Sequence, residues 1–368
     1  MIALHGAYEN ENFGDELLLA IQGKWINELI NKKVILPFAA DYYREQIPSS
    51  HLVGRDSLMK SEKLVYGGGG YFGEPNHSKL KWGINFFRKG HHKPAKIVKA
   101  ANKEYIIVGV GAGPISNLLT RREVVNICNG AKHVVIRDEE SYDYLLRYGV
   151  DKHKMSVAAD IVLSLREDDL PTKYLEETNK LIKRGEGKTF FGIHIGVSPE
   201  DQHYGKNITL AIDSLVDYVN NHAHIIPVLI ADKRHSKVQE EAISYVTERL
   251  NKEAIVYRHY NIWATTSLLG VLDGVVTTKL HVGITAFSLG TKTFGIAAHQ
   301  KTRRFYEQIG KENYFYELKD INHPIIDDIQ AFFEDAYWDE NTNEKRRRLK
   351  SLALKNREVI SNFIKDMS

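Results

Sequence analysis

The chain has 368 residues, a length that favours two domains over a single hydrophobic core. Its formal net charge of +3 lacks the basic footprint of a nucleic-acid-binding protein, and 43% hydrophobic residues are typical of globular chains. A single cysteine, Cys128, excludes an internal disulfide. Because the sequence shows neither a signal peptide nor a run of ~20 apolar residues, we expect a cytoplasmic protein.

The first predicted strand, residues 2–5, leads through a polar loop bounded by glycines into an amphipathic helix over residues 16–30. Asn12 and Asp15 in this loop are residue types that cap helix N-termini, and the N–H groups of such termini favour anions. The loop therefore indicates either an anion or sugar site, or only a turn and a helix cap. It has neither GxGxxG nor P-loop spacing, so it does not predict a nucleotide site.

The second strand is predicted over residues 34–38 and the third over residues 63–66. Four consecutive glycines, residues 67–70, directly follow the third strand. Each glycine costs roughly 0.5–1 kcal/mol relative to alanine in an ordered element. We therefore expect that the amides of Gly69 and Gly70 face a ligand, or that the backbone needs positive φ there. A flexible linker is the alternative. Glu74 follows the run as a candidate acidic residue.

Further strand–loop–helix units indicate a parallel, doubly wound sheet in the N-terminal half. One predicted strand, residues 134–136, ends at Arg137, and Ser141 is predicted to cap the next helix. A planar guanidinium suits a carboxylate or a phosphate. A structural ion pair of Arg137 with Asp138 or Asp160 is the alternative. Cys128 lies in an apolar helical pattern and is expected to be buried.

The second half alternates strand and helix again, and two of its strand ends carry basic and imidazole side chains. A strand predicted from residue 274 is followed by Lys279 and His281, and a second, residues 293–298, by His299 and Lys301. Ligands of open α/β sheets bind at the carboxyl ends of strands. The cluster therefore predicts a site for an anionic ligand with a proton donor, although a helix cap and a solvated lysine remain the alternatives.

We therefore predict an α/β protein with two Rossmann-like domains facing a cleft, a GT-B-like arrangement. The expected limits are 1–165, 166–340 and a C-terminal helix, 341–368, that packs back on the N-terminal domain. A basic run at residues 345–350 is interpreted as the solvated face of that helix. A peripheral contact with an anionic membrane surface is the alternative.

Four segments in the same order resemble the polysaccharide pyruvyl transferase family. They are residues 6–17 (with Tyr8 and the sequence NFGDEL), residues 67–73 (GGGGYFG), residues 135–141 with 158–160 (VIRDEES and AAD), and residues 279–296 with Lys301. Two positions depart from the family pattern. Lys279 stands where an arginine is expected, so it offers a point charge rather than a bidentate fork. Thr293 stands where proline is common.

The resemblance implies a two-domain GT-B-like transferase that moves pyruvate from phosphoenolpyruvate onto two hydroxyls of a sugar as a ketal. Phosphoenolpyruvate is then the donor substrate, and no cofactor or metal is implied. The acceptor is a saccharide of a cell-surface polysaccharide or its lipid-linked precursor, held by the N-terminal domain while the C-terminal domain holds the donor. His281 is the candidate general acid, with Asp15 and Glu74 orienting the acceptor. The candidate substrate-binding residues are Arg137, Lys279, Lys301, His299, Asn12, Gly69 and Gly70.

Two other functions compete with this interpretation. A GT-B glycosyltransferase that uses a nucleotide sugar would have the same domains and glycine loops, so the fold does not separate the two. A nucleotide donor needs an acidic residue for its ribose hydroxyls in the C-terminal half, and we identify no clear one there. A non-catalytic binding module for an anionic saccharide is the third function.

Overall fold

The computed structural model describes residues 1–8, 12–30, 34–37, 47, 55–75, 79–88, 90–182, 187–298 and 300–365. The chain divides into two compact units. The N-terminal unit comprises Met1–Glu11, Asp15–Ser164 and Leu349–Ser368, and the C-terminal unit comprises Asn12–Gly14 and Leu165–Arg348. The domain limits predicted at residues 165 and 340 stay predictions.

Parallel strands form the sheet of the N-terminal unit. They are β1 Ile2–His5, β2 Lys63–Tyr66, β3 Gly69–Phe72, β4 Glu104–Ala112, β5 Val134–Ile136 and β6 Met155–Val157. Their order is β1-β2-β4-β5-β6, and β3 also pairs with β4. The mostly apolar strands fit a parallel sheet covered on both faces. Instead of the predicted strand over residues 34–38, Ile35 makes an isolated parallel bridge to Ala3, and residue 38 lies outside the described residues.

Helices of this unit are α1 Phe13–Ile30, α2 Lys79–Arg88, α3 Lys93–Ala100, α4 Leu118–Gly130 and α5 Glu139–Tyr148. Helix α1 begins three residues earlier than predicted, so Asp15 lies in its first turn. The predicted cap at Ser141 is wrong: Asp138 caps α5 by accepting the Ser141 N–H at 2.8 Å. The Ser141 hydroxyl instead bonds Ala112 at the end of β4.

The glycine run at residues 67–70 is packed rather than flexible, so the linker alternative is wrong. The Gly68 N–H donates to Gln22 Oε1 at 3.0 Å, and a Cβ on Gly68 would lie 2.9 Å from Leu18 Cδ2. Gly69 has φ +133°, a conformation that favours glycine. These glycines allow α1 and β4 to approach the backbone closely. Cys128 is buried in the same unit as predicted, and burial raises the pKa of its thiol.

Parallel strands also form the sheet of the C-terminal unit. They are β7 Thr189–His194, β8 Ile225–Ala231, β9 Ile255–Arg258, β10 Gly274–Thr277, β11 Lys292–Ala297 and β12 Phe315–Glu317. Their order is β12-β11-β10-β7-β8-β9. The remaining helices are α6 Thr172–Leu181, α7 Gly205–Asn221, α8 Lys237–Thr247, α9 Ile262–Val271, α10 Leu280–Leu289, α11 Gln300–Ile309, α12 Ile326–Glu334 and α13 Glu340–Lys365. None of the described helices is long and apolar enough to cross a membrane.

Candidate functional site

The strand order of the C-terminal unit creates a topological switch point between β7 and β10. From β7 the chain continues to β8 and β9 on one side, and from β10 it continues to β11 and β12 on the other. Ligands of such sheets bind in the crevice at the carboxyl ends of these two strands. His194 ends β7 opposite Thr277, which ends β10. Lys279 and His281 directly follow β10, so both lie at this switch point.

A buried hydrogen-bond network lies below this edge. His194 is wholly buried, and its Nε2 lies 2.9 Å from Asp232 Oδ1 while its Nδ1 lies 2.9 Å from Thr277 Oγ1. Gln239 Nε2 donates to the same carboxylate oxygen at 2.5 Å. His194 Nε2 also lies 3.1 Å from Gln239 Nε2. An imidazole with its proton on Nε2 donates to the Asp232 carboxylate and accepts from the Thr277 hydroxyl at Nδ1, while the Gln239 amide donates to the carboxylate.

The Asp232 carboxylate stays ionised although it is buried. Burial alone would raise its pKa, but the Lys279 ammonium, the His194 imidazole and the hydrogen bond from Gln239 together hold the pKa well below its usual range. A negative charge therefore faces Lys279 from the carboxyl end of β8. The attraction between the Asp232 carboxylate and the Lys279 ammonium therefore helps to position the lysine side chain.

Lys279 is held at the crevice by contacts from both neighbouring strand ends. Thr277 Oγ1 accepts the Lys279 N–H at 3.0 Å, and Thr278 Oγ1 accepts the Gly196 N–H at 2.7 Å. A Cβ on Gly196 would lie 3.1 Å from Lys279 Cε. The lysine side chain therefore runs across the backbone beyond β7. This arrangement places an ammonium group where an anionic ligand would bind.

His281 lies in the first turn of α10 and packs against the segment Asn12–Gly14, which belongs to the same unit. A Cβ on Gly14 would lie 2.3 Å from His281 Nδ1, so only glycine fits beside this ring. Asn12 Oδ1 accepts the Gly14 N–H at 3.3 Å, and the Phe13 N–H donates to the Asp232 carbonyl oxygen at 3.2 Å. Within the C-terminal unit, Asn12–Gly14 of the N-terminal motif therefore lie against the motif around His281.

Removing the Asp232 charge is expected to destabilise the protein in a pH-dependent way. Asp232→Ala leaves His194 without its carboxylate and should cost about 3–5 kcal/mol. For Asp232→Asn the sign follows from the folded-state pKa, which lies below the ordinary 3.8. The ionised carboxylate stabilises the fold above about pH 4, and this contribution is lost as the pH falls further. Urea unfolding of wild type and Asp232→Asn should show a constant difference near neutral pH that shrinks below pH 4. A difference that grows on acidification would contradict the network.

The N-terminal unit has a comparable switch point between β1 and β2, because Ala3 bridges Ile35 on one side and pairs with Leu64 of β2 on the other. A cluster of imidazoles and phenols fills this edge. His5 Nε2 lies 3.2 Å from His91 Nδ1, and the His91 and Tyr71 rings stack with centroids 4.9 Å apart. Burial, and after it the neighbouring His91, lowers the pKa of His5 well below its usual value. His5 is therefore uncharged at neutral pH.

Asp15 lies near this cluster in the first turn of α1. Burial raises the pKa of Tyr8, and the charge of Asp15 raises it further. The same carboxylate is among the groups that, after burial, raise the pKa of Tyr71. Asp15 is half-buried and lies at the carboxyl edge of this sheet. Gly69 is buried nearby, while Gly70 is exposed.

Glu74 and Arg137 make structural contacts in the N-terminal unit. Glu74 Oε2 accepts from both the N–H and the hydroxyl of Ser116 at 2.8 Å. Arg137 Nη1 lies 3.1 Å from Asp160 Oδ2, and its Nε lies 3.7 Å from Asp138 Oδ2. A Cβ on Gly111 would lie 2.5 Å from Arg137 Nε, so the buried guanidinium lies on this glycine. The ion pair considered from the sequence is therefore present, and a substrate contact of Arg137 stays a prediction.

Two substitutions of Arg137 distinguish the contribution of its positive charge to stability from that of its planar guanidinium shape. Arg137→Met leaves Asp138 and Asp160 buried without their shared cation, so we expect a loss of about 3–5 kcal/mol in unfolding free energy. Arg137→Lys keeps the charge but not the planar fork and should recover part of the loss. Thermal unfolding of the two variants measures this order. Equal stability of wild type and Arg137→Met would show that the ion pair contributes nothing.

A sequence model of the polysaccharide pyruvyl transferase family matches residues 12–300. The chain belongs to this family. The match begins at Asn12 and extends beyond His281, so it contains the site at the switch point of the C-terminal unit. Family membership confirms the resemblance seen in the four segments. It implies a transferase of polysaccharide biosynthesis with a saccharide acceptor. No curated protein matches this member of the family.

Solved structures establish the fold class of this polysaccharide pyruvyl transferase family member. Anabaena Alr3699/HepE in complex with UDP is 14% identical with a TM-score of 0.59, and the alignment covers 100% of this chain and 98% of that one. The UDP-GlcNAc 2-epimerase of Neisseria meningitidis bound to UDP-GlcNAc is 10% identical with a TM-score of 0.62 and 99% of each chain covered. A glycosyltransferase from Rickettsia africae is 10% identical with a TM-score of 0.60, and the alignment covers 100% of this chain and 99% of that one. The expected GT-B-like class is confirmed.

The structure brings only part of the predicted site of this family member together. Asn12, Lys279 and His281 lie at one sheet edge of the C-terminal unit, while Asp15, Glu74, Arg137, Gly69 and Gly70 belong to the N-terminal unit. Lys301 is exposed on α11, and His299 lies outside the described residues. The described residues contain no group of three or more His, Cys, Asp or Glu that could hold a metal ion.

Sequence reasoning missed three residues of the network: His194, Asp232 and Gln239. The first two stand at or just after the carboxyl ends of apolar strands, and this position was the available signal. Gln239 lies one turn into α8 and gives no comparable signal, because a glutamine near a helix start is common on the surface.

Proposed function

We propose that this family member transfers the pyruvyl group of phosphoenolpyruvate onto two hydroxyls of a sugar. The sugar belongs to a cell-surface polysaccharide or to its lipid-linked precursor, and the product is a cyclic ketal. Phosphoenolpyruvate is the donor substrate, and the proposed reaction needs no cofactor. The observation that carries the proposal is the contact of His281 with Gly14, beside Lys279 at the switch point.

The reaction requires an acid, a cationic site and a positioned acceptor. A proton adds to the methylene carbon of the donor, and the first sugar hydroxyl attacks the neighbouring carbon. Phosphate leaves, and the second hydroxyl closes the ketal. Of the two hydroxyl protons released, one balances the proton added to the methylene carbon, and the other leaves on the phosphate. Proton transfer by a positioned side chain contributes about 10²- to 10⁴-fold to the rate of such reactions.

Each proposed role follows from the place of its residue. His281, in the first turn of α10, is the general acid, and its contact with Gly14 fixes the ring. Lys279 neutralises the donor phosphate, and Asp232 acts as a positioning residue through it. Lys301 and His299, which follow β11, remain proposed donor contacts. Arg137 remains a proposed anion contact besides its ion pair.

On the acceptor side the proposed residues are those of the N-terminal unit. Asp15 is the stronger candidate to orient a sugar hydroxyl, because it is half-buried at the carboxyl edge of the sheet. Glu74 is the weaker candidate, because Ser116 already occupies its Oε2. The amides of Gly69 and Gly70 are proposed to donate to substrate oxygens, and the same role is proposed for the side chain of Asn12 in the C-terminal unit.

A nucleotide-sugar glycosyltransferase is the second candidate function. It is favoured by the fold neighbours, whose solved structures are complexes with UDP, UDP-glucose or UDP-GlcNAc. A UDP donor would place its diphosphate at the same cationic edge of the C-terminal unit. The two functions therefore differ in the donor they consume and not in the residues that face its phosphates.

The test is phosphate release from phosphoenolpyruvate with a panel of galactose-, mannose-, glucose- and N-acetylhexosamine-terminated acceptors. A parallel panel replaces phosphoenolpyruvate by UDP-sugars. The proposal predicts acceptor-dependent phosphate release and no consumption of a UDP-sugar. Consumption of a UDP-sugar without phosphate release would favour the glycosyltransferase function instead.

A further inference from the structure

Four large aliphatic side chains of the N-terminal unit project into solvent from two helices. Leu80 is 74% exposed and Ile84 58% on α2, and Leu118 is 71% and Leu119 72% exposed at the start of α4. Scattered exposed aliphatic residues are normal, but adjoining ones indicate an interaction surface. We call these four residues the aliphatic patch.

The two pairs come from adjoining helix segments. A Cβ on Gly83 of α2 would lie 3.5 Å from Oγ1 of Thr120, which directly follows Leu119 on α4. Leu80 and Ile84 are four residues apart and so share one side of α2. Gly83 and Phe86 occupy the buried side of the same helix. Helix α2 therefore presents apolar residues outwards as well as towards the core, which its own packing does not require.

The chain around the aliphatic patch is strongly basic. Residues 75–103 contain seven lysines, one arginine and no acidic residue, whereas the whole chain has a net charge of only +3. Lys81 and Arg88 are exposed on the same side of α2 as Ile84, and Arg122 is exposed on α4. The bordering carboxylates already face lysines: Glu74 lies 3.5 Å from Lys79 and Glu123 lies 3.0 Å from Lys96.

We propose that α2 and the first turn of α4 dock on an anionic lipid surface. Leu80, Ile84 and the two leucines of α4 would enter the boundary of the acyl chains, while Lys81, Arg88 and Arg122 contact the lipid phosphates. Aliphatic side chains flanked by lysine and arginine are the composition of a helix that lies in a membrane interface. The positive charge favours an anionic bilayer over a second copy of this chain, because two copies would repel each other.

This surface differs from the basic run at residues 345–350. Within that run, Arg346 donates to the Ser288 carbonyl oxygen at 2.7 Å and lies over the Trp338 ring at 5.2 Å. Part of the run therefore stabilises the C-terminal unit. The aliphatic patch adds what that run lacks, exposed apolar side chains next to the charges. The docking proposal does not depend on the reaction proposed above.

Co-sedimentation of the full chain with vesicles tests the docking. One set of vesicles contains phosphatidylcholine only, and the other contains phosphatidylcholine with phosphatidylglycerol. The proposal predicts binding to the anionic vesicles only, weakened by salt. Replacing all four residues of the aliphatic patch by glutamine should lower the partition coefficient by at least about tenfold. Replacing Lys81, Arg88 and Arg122 by glutamine should lower it roughly fivefold per charge.

The matched control replaces two exposed aliphatic residues of the C-terminal unit, Leu181→Gln and Val238→Gln, which should bind like wild type. Thermal unfolding checks that each variant is folded. Absence of wild-type binding to anionic vesicles overturns the proposal, as does an equal loss in the control. A wild-type dimer that the four-residue variant dissociates, without any vesicle binding, would make the aliphatic patch an interface between copies of the chain.

Discussion

His281→Ala is expected to lower acceptor-dependent phosphate release by about 10²- to 10⁴-fold, because the variant lacks the proposed donor of the proton to the methylene carbon. The melting temperature should change little, since the ring is only half-buried and the alanine keeps the helix. The measurement is kcat with saturating phosphoenolpyruvate and acceptor. A loss confined to KM would instead indicate that His281 binds the donor without transferring a proton.

A matched control for this variant is His224→Ala. His224 is exposed and precedes β8, at the amino ends of the strands and so at the opposite edge of the sheet from His281. Its removal should leave the rate unchanged. If the two histidine variants lose activity to the same extent, the site at the carboxyl edge is not the catalytic one.

Gly14→Ala is expected to have the second largest effect, although it adds only a methyl group. The new Cβ would lie 2.3 Å from His281 Nδ1, so the ring or the start of α1 must move. A displacement of about 1 Å at a catalytic group can lower the rate roughly 10²-fold. Overpacking should also cost about 1–3 kcal/mol of unfolding free energy. Enzyme turnover and chemical unfolding measure the two effects separately.

Gly23→Ala on the same helix is the control for Gly14→Ala. The nearest atom to a Cβ on Gly23 is Ile47 Cγ2 at 3.7 Å, an ordinary van der Waals distance. Alanine inside a helix should raise stability by up to about 1 kcal/mol and leave turnover unchanged. Full activity of Gly14→Ala alongside Gly23→Ala would contradict the role of Gly14 beside His281.

The repeated pattern of strands and helices predicted the fold well because parallel strands are short apolar runs with glycine or polar residues at their carboxyl ends. The strands ending at Tyr66 and Ile136 fall where the sequence places them. Predictions of single residue roles were wrong where tertiary contacts determine which hydrogen bond a side chain makes. Serine is a common residue type at helix N-caps, but the hydroxyl of Ser141 bonds Ala112 instead. The cap of α5 is Asp138, whose side chain accepts the Ser141 N–H.

Helices α2 and α3 were not predicted, and for α2 this omission has a physical reason. Helix α2 exposes Leu80 and Ile84 although it also buries Phe86, so its apolar residues do not mark one side of the helix. The lysines of residues 75–103 were the available signal. The same composition now carries the proposal of a lipid-docking surface.

The candidate site could be predicted in its single residues but not in its contacts. Lys279 and His281 follow a strand, and that position alone predicts an edge site. Gly14 and His281 are far apart in the sequence, so no local pattern predicts their contact. The same holds for the hydrogen bond between His194 and Asp232. These contacts depend on the strand order, which places β7 between β8 and β10.

The measurement that tests the proposed function most directly uses phosphoenolpyruvate labelled with carbon-13 at the carbon that bears the phosphate. After incubation with the acceptor that supports phosphate release, the product is analysed by NMR. The proposal predicts a labelled quaternary carbon bonded to two oxygens of the same sugar, absent with His281→Ala. Label recovered only in unreacted donor or in free pyruvate, while a UDP-sugar is consumed, would contradict pyruvyl transfer.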